Sequence, residues 1–303
     1  MASGTSERLE RDNRSDPVAT PLAPPIFAAA CCPKTTRRVG RLRRWPALRA
    51  WLRCFYRLLA PCLPNPPWAT AAGYLIFLRD LVRYRRMKGA ERLRWCDLYP
   101  CLFDRRPTTP LDLNYFLQDT WAAAKVFQYR PSLHVDVGST ALLVGILAQF
   151  TRVCSVDIRP LPVELPGLEV KRGSILEMPF EDRSLRSISS LCVVEHIGLG
   201  RYGDPLDPQG SRRAAAELQR VLAPGGNLYI SVPIDREPKV YFNAHRSFRH
   251  NDVLEMFDEL APAEIKFIQW GNTYDLEDIN NIPFGEQEVV GLYHFRRQIT
   301  GHL

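Results

Sequence analysis

Along residues 133–295, short apolar runs alternate with stretches of helical spacing, the pattern of a sheet whose strands are joined by crossover helices. The runs predict strands at His134–Val137, 153–156, Leu168–Arg172, 185–192, 227–232, 264–269 and 289–295. The fifth has a continuous apolar core, as a strand covered on both faces should have. A helix of about ten residues separates the first two strands. Ser211 caps another, which runs through Ala214, Leu218 and Leu222 until Pro224, Gly225 and Gly226 stop it. A third spans 251–260. Residues 107–130 give a helix before the first strand, capped by Thr109 or Asp112 and carrying Tyr115, Phe116, Trp121, Ala124 and Phe127, placed to cover the sheet edge or a ligand's mouth. The repeating units imply a mostly parallel sheet with right-handed crossovers, and the last two strands, with no helix between them, add an antiparallel edge.

The earlier part of the chain follows no such pattern. Residues 1–40 mix Ser, Pro, Ala, Arg and Thr without period, and their Pro-rich stretch predicts disorder. From Pro46, Leu48, Trp51, Leu52, Phe55, Leu58 and Leu59 recur at helical spacing while Arg49, Arg53 and Arg57 form a stripe, and Pro61 ends the helix. After a break at Pro64, Pro66 and Pro67, a second basic helix spans 75–86 with Leu75, Leu78, Leu81 and Val82 on one side. The expected organisation is a disordered segment 1–40, a basic helical extension 41–106 and an α/β domain 107–303.

Charge sharpens that division. Residues 1–110 hold 21 Lys+Arg against 8 Asp+Glu, and no acidic residue lies between Asp16 and Asp80, whereas the rest of the chain is net acidic. Two readings fit residues 41–88: a helical region with solvated arginines packed on its own domain, or a surface for an anionic membrane. A nucleic-acid reading lacks aromatics interleaved with a basic groove on a known module. Eight cysteines form no CxxC pair and meet no His at ligand spacing, so no metal site is expected. Cys154 and Cys192 fall in core strands, which points to a reducing cytosol. With no leader-like opening and no apolar run of spanning length, the expected location is cytoplasmic, peripheral on the inner face of the membrane.

The stretch from Leu133 to Arg159 concentrates the chemistry. A strand ends on Gly138, a helix follows, and the next strand ends on Asp157, 19 positions later. In nucleotide-binding sheets a turn without a Cβ approaches the ligand and an acid at the next strand's tip takes the ribose hydroxyls. Asp136 reads as the brace of that turn. An ion pair with Arg159 is the structural alternative for Asp157.

Several segments resemble class I S-adenosylmethionine-dependent methyltransferases. Asp136, Val137 and Gly138 are similar to the start of their first motif, Asp157 to the ribose-binding acid, and residues 178–184 to the segment before strand four. Val194, Glu195 and His196, with residues 220–226, are similar to the signatures around strands four and five. More narrowly, residues 134–139, 195–204 and 242–246 resemble a bacterial methyltransferase-like family known only as a domain of unknown function. The chain departs from the pattern at Thr140 and Leu142, where two further glycines are usual, at Ser174, where many members have Asp, and at Arg186.

The resemblance implies a Rossmann-like class I fold with a seven-stranded, mostly parallel sheet. It implies S-adenosyl-L-methionine as cofactor, held by Asp136, Gly138, Ser139, Asp157, Ile158, Ser174 and Ile175. The Ser139 and Thr140 hydroxyls would replace the missing glycines by donating to the cofactor's carboxylate. His196 is the expected base, with Glu195 beside it; a structural histidine under the following loop is the alternative. Arg201, Tyr202 and Asp204 on a glycine-hinged loop, with Asn243, His245 and Arg246 opposite, would bind the acceptor, which the basic amphipathic N-terminal region, rather than the resemblance, suggests is a sugar or lipid-linked glycan made at the membrane. The competing function is a catalytically degenerate fold serving as a membrane-associated scaffold.

Overall fold

The computed structural model describes residues 66–285 and 288–299. The segment expected to be disordered and the helix expected from Pro46 lie outside these residues. The chain divides into two compact units, Met1–Leu111 and Asp112–Leu303. In the first, α1 (Pro67–Arg85) starts earlier than the expected 75, because Pro67 occupies the first turn, where its missing N–H costs nothing and its fixed φ suits a helix. Thr70 and Gly73 are its buried positions, and a Cβ on Gly73 would meet the Leu102 side chain at 2.9 Å. Asp80 pairs with Arg79 at 2.9 Å and Arg105 at 2.7 Å.

The second unit opens with α2 (Leu113–Tyr129), capped by Asp112, whose carboxylate accepts from the N–H groups of Asn114 and Tyr115. Then follow β1 (His134–Val137), α3 (Ala141–Leu147), β2 (Val153–Asp157), β3 (Leu168–Arg172), β4 (Leu185–Leu191), α4 (Gly210–Val221) and β5 (Leu222–Ile234). A small hairpin, β6 (Lys239–Tyr241) and β7 (His245–Ser247), leads to α5 (His250–Met256), β8 (Ala261–Gln269), β9 (Asn272–Asp275) and β10 (Val289–Arg296).

Eight strands form one sheet in the order β3-β2-β1-β4-β5-β10-β8-β9. The pairs from β3 to β5 are parallel, and β10 enters antiparallel between β5 and β8. This is the Rossmann-like class I methyltransferase fold. Its eighth strand, β9, pairs antiparallel with β8 at the sheet edge. The two residues joining them, Trp270 and Gly271, both have positive φ (57° and 77°), as a tight type I′ hairpin requires.

Helices α4 and α5 pack on one face through Ala214, Leu218, Val253 and Met256, while α2 and α3 cover the other through Ala122, Val126, Leu143 and Leu147. Both faces of the central strands are therefore buried, which is why β1 and β5 read as apolar runs. The carboxyl ends of β1, β2, β3 and β4 come together at one edge of these layers, and there the sheet's turns carry the residues singled out above.

Candidate cofactor and acceptor site

Gly138 closes β1 at φ +71°, and a Cβ there would sit 3.2 Å from Val193 Cγ1 and 3.8 Å from Asp157 Oδ2. The turn is thus a cradle that a side chain would fill. Asp157 Oδ1 accepts the Arg159 N–H at 2.6 Å, while the Arg159 guanidinium stands off at 4.0 Å, so the carboxylate is oriented by backbone and its Oδ2 faces Gly138. Ile158 is half-buried beside it. After β3, Ser174 Oγ accepts the Leu176 N–H and Ile175 is 5% exposed in the core. From α4, Glu217 accepts the Met178 N–H at 2.6 Å and Arg220 donates to the Met178 and Phe180 carbonyls, fixing the loop that follows.

Asp136 is fully buried and braces the turn by accepting the Ser139 N–H at 3.2 Å. Its Oδ2 accepts the Ser189 hydroxyl at 2.5 Å, and Ser189 in turn accepts from His134 Nε2 at 2.9 Å. Burial drives His134 down to about 3, so the ring is neutral, and its other nitrogen accepts from Ser187 at 2.8 Å. Asp136 is itself pushed up to about 6 by burial. This directed chain explains the serine-rich alternation of β4. The Ser139 and Thr140 hydroxyls are engaged elsewhere: Ser139 Oγ accepts the Leu191 N–H, and Thr140 donates to Asp119 at 2.6 Å while capping α3 through the Leu143 N–H. Both side chains serve the turn's architecture.

At the tip of β4, a 3-10 turn (Val194–His196) buries Glu195 and His196. His196 Nδ1 lies 2.6 Å from the Ala244 carbonyl, which only accepts, so Nδ1 carries the proton and Nε2 presents a lone pair 3.7 Å from Glu195 Oε1. Burial lowers the ring to about 4, with the charges of Arg201 and His245 acting the same way. Glu195 is 1% exposed, and its Oε2 has no hydrogen-bond partner among the described residues. Burial, with repulsion from Glu288, raises it to about 8. Of this pair, burial moves Glu195 toward neutrality and His196 away from it.

The glycine-rich loop 198–207 folds back on itself. Asp204 accepts the Gly198 N–H at 2.7 Å and the Tyr202 N–H at 3.3 Å. Arg246, 8% exposed, donates to the Ile197 carbonyl at 2.6 Å, the Asp207 carbonyl at 3.2 Å and Ser211 Oγ at 3.2 Å. Two expected acceptor ligands thus have their polar atoms committed to holding the loop. Asn243, at φ +64°, donates to the Leu199 carbonyl across the crevice.

Tyr202, Arg201 and His245 do converge with the β4 tip. The Tyr202 ring lies edge-on to His196 at 5.6 Å, Arg159 stacks over it at 4.1 Å and Arg201 at 5.0 Å. Tyr202 thus links the Asp157 side of the crevice to the Glu195 side. His245 Nε2 faces Glu288 at 3.6 Å. Sequence reasoning missed Glu288, Cys192 and Gln118. The Cys192 thiol, raised by burial beside Glu195, donates to Gln118 Oε1 at 3.1 Å, and Gln118 also accepts from Ser231. Of these, Gln118 alone carries a signal, a polar residue at a buried helical position, since Glu288 is exposed just ahead of β10 and Cys192 reads as a small hydrophobe.

Comparison with known proteins gives three findings. A family model described as "Caenorhabditis protein of unknown function, DUF268" matches residues 180–261, the span from the end of the β3 loop through the glycine-rich loop and hairpin to the start of β8. A search of curated proteins matches none of them to this chain. Among solved structures, N-methyltransferase NodS from Bradyrhizobium japonicum is 17% identical, with a TM-score of 0.43 over 62% of this chain and 98% of that one. The Burkholderia thailandensis 1,6-didemethyltoxoflavin-N1-methyltransferase, solved with S-adenosylhomocysteine, is 16% identical, with a TM-score of 0.40 over 59% and 78%. The [4+2]-cyclase SpnF is 12% identical, with a TM-score of 0.45 over 60% and 81%.

Proposed function

We propose that the Asp112–Leu303 unit is an S-adenosyl-L-methionine-dependent methyltransferase. The observation that carries this reading is the pairing of Gly138 and Asp157: a side-chain-free turn at positive φ facing a backbone-oriented carboxylate. Asp157 would accept the ribose hydroxyls, the Gly138 and Ser139 backbone would meet the amino-acid end, and Ser174 and Ile175 would border the adenine. The bound cofactor supplies an electrophilic methyl group, whose transfer asks the protein chiefly for position and a proton acceptor. Glu195 is that acceptor: as a carboxylate it takes the proton given up by an acceptor hydroxyl, and its pKa of about 8 matches that task. His196 positions Glu195 and the loop. Arg201, Tyr202 and His245 border the acceptor, for which a sugar or lipid-linked glycan remains our reading. Asp204 and Arg246 move from acceptor ligands to loop braces.

Calorimetric titration with S-adenosyl-L-methionine tests this. Wild type should bind and Asp157→Ala should lose affinity by about tenfold or more, the worth of a charge-assisted hydrogen bond. A well-folded wild type that releases no heat rules the reading out. The second reading, a binding module without turnover, draws on the 1% exposure of Glu195 and on the engagement of the Ser139 and Thr140 hydroxyls within the turn. It predicts cofactor binding that Glu195→Gln leaves intact, with no methyl transfer by either protein.

A further inference from the structure

We propose that α1 docks the protein on an anionic lipid bilayer, lying flat on its surface. Trp68, Ala71, Leu75, Leu78 and Val82 recur at alternating spacings of three and four, which places them in one stripe along the helix. All five are exposed, Trp68 at 77% and Leu75 at 70%. The helix's buried positions, Thr70 and Gly73, lie on a different face, with Gly73 against Leu102. The stripe is therefore a second apolar face, in addition to the one that packs. A contiguous exposed apolar surface of this kind marks an interaction site.

Charge selects the occupant. Arg79 and Arg83 run along one border of the stripe, and Arg85, Arg86 and Lys88 follow at its carboxyl end. The one acidic residue of the helix, Asp80, is neutralised by Arg79 and Arg105. A second copy of the helix would bring two rows of arginines together. A bilayer bearing anionic headgroups complements both features: the acyl boundary takes Trp68, Leu75, Leu78 and Val82 while phosphates meet the arginines. No described helix is long and apolar enough to cross a membrane. The inference rests on α1 alone and is independent of the methyl-transfer reading.

Co-sedimentation of the full-length chain with phosphatidylcholine vesicles, with and without phosphatidylglycerol, tests it. Binding should require phosphatidylglycerol and weaken with salt. Arg83→Gln/Arg86→Gln should reduce partitioning by roughly thirtyfold, the effect of two basic residues near an anionic surface. Leu75→Glu/Leu78→Glu should reduce it by at least about tenfold. Both pairs are exposed, so circular dichroism and the thermal midpoint should match wild type, and Trp68→Ser offers a milder variant with a smaller loss. Absence of binding to anionic vesicles overturns the proposal. So does equal binding to neutral vesicles, undiminished binding by Leu75→Glu/Leu78→Glu, or a wild-type dimer that this pair dissociates, which would make the stripe a helix–helix interface.

Discussion

Nε2 of His196 lies 3.7 Å from Oε1 of Glu195, and burial moves the proton affinities of the two groups in opposite directions, to about 4 for the ring and about 8 for the carboxyl. The imidazole is fixed as a neutral, Nδ1-protonated ring by the Ala244 carbonyl. The carboxyl, sealed from water with one oxygen unpartnered, keeps its proton past neutrality. Burial thus reverses the order in which these two adjacent groups titrate, which unperturbed pKa values do not reveal.

Glu195→Gln should reveal this titration in stability. The carboxyl is raised from 4.5 to about 8, so between those values the folded chain holds a proton that the unfolded chain has lost, and stability falls as pH rises. His196, lowered from 6.5 to about 4, works in the opposite direction, adding stability as pH rises through that lower window. Above pH 6.5 only Glu195 of this pair acts. There wild type should lose up to about 1.4 kcal/mol per pH unit relative to the variant, levelling off above about 8. Urea unfolding across this range checks it, and parallel profiles for the two proteins would refute the assignment.

If Glu195 takes the acceptor's proton, the methyl-transfer rate should rise with pH through about 8, because only the carboxylate accepts. Glu195→Gln should lower turnover by about a hundredfold or more while leaving cofactor affinity unchanged. A wild-type rate that is flat across this window would move the base elsewhere.

Ser189→Ala breaks the chain from Ser187 through His134 to Asp136. Asp136 loses its 2.5 Å donor and His134 Nε2 its acceptor, both wholly buried. The expected cost is about 1–3 kcal/mol in urea unfolding, since buried groups left unpaired forfeit their hydration without compensation. A change below about 0.5 kcal/mol would mean that the chain does not couple these residues.

Much of the sheet was readable because its strands are local apolar runs. His134–Val137 and Leu168–Arg172 were placed at the observed ends. What stayed hidden depends on partners far away in sequence. β5 begins at Leu222 rather than 227, because a register shift against β4 between Leu185 and Ser187 takes Pro224 and Gly225 into the strand. β6 and β7 read as loop, since three-residue strands carry no detectable period. β9 hangs on a turn whose first residue is Trp270, a type with no turn preference. In the site, Asp157, Gly138 and the Glu195–His196 pair stood out by spacing from strand ends. The duties of Arg246 and Asp204 did not, because a loop-bracing guanidinium and a ligand-binding one look the same until the carbonyls they meet are known.

Arg246→Lys should loosen the 198–207 loop. Lysine keeps the charge but cannot reach the Ile197 and Asp207 carbonyls and Ser211 Oγ together from one planar fork. Amide hydrogen exchange across 198–207 should accelerate by about tenfold or more, while β1 and β2 remain protected. Unchanged exchange in the loop would show that Asp204 alone holds it.

The same loop separates backbone strain from steric exclusion. Gly198 and Gly203 have similar positive φ values, +82° and +86°, so alanine at either incurs the left-handed penalty of about 1–2 kcal/mol. At Gly203 an added Cβ meets nothing within 4 Å, whereas at Gly198 it would lie 2.0 Å from the Asp207 carbonyl oxygen, inside the segment where the Asp207 N–H donates back to the Gly198 carbonyl. Gly203→Ala should therefore cost about 1–2 kcal/mol and leave the loop closed. Gly198→Ala should cost about 2–5 kcal/mol, because the loop must also part to admit the methyl group. Thermal midpoints of the two single variants measure the difference; equal losses would show that Asp207 yields freely and that the loop is not anchored at Gly198.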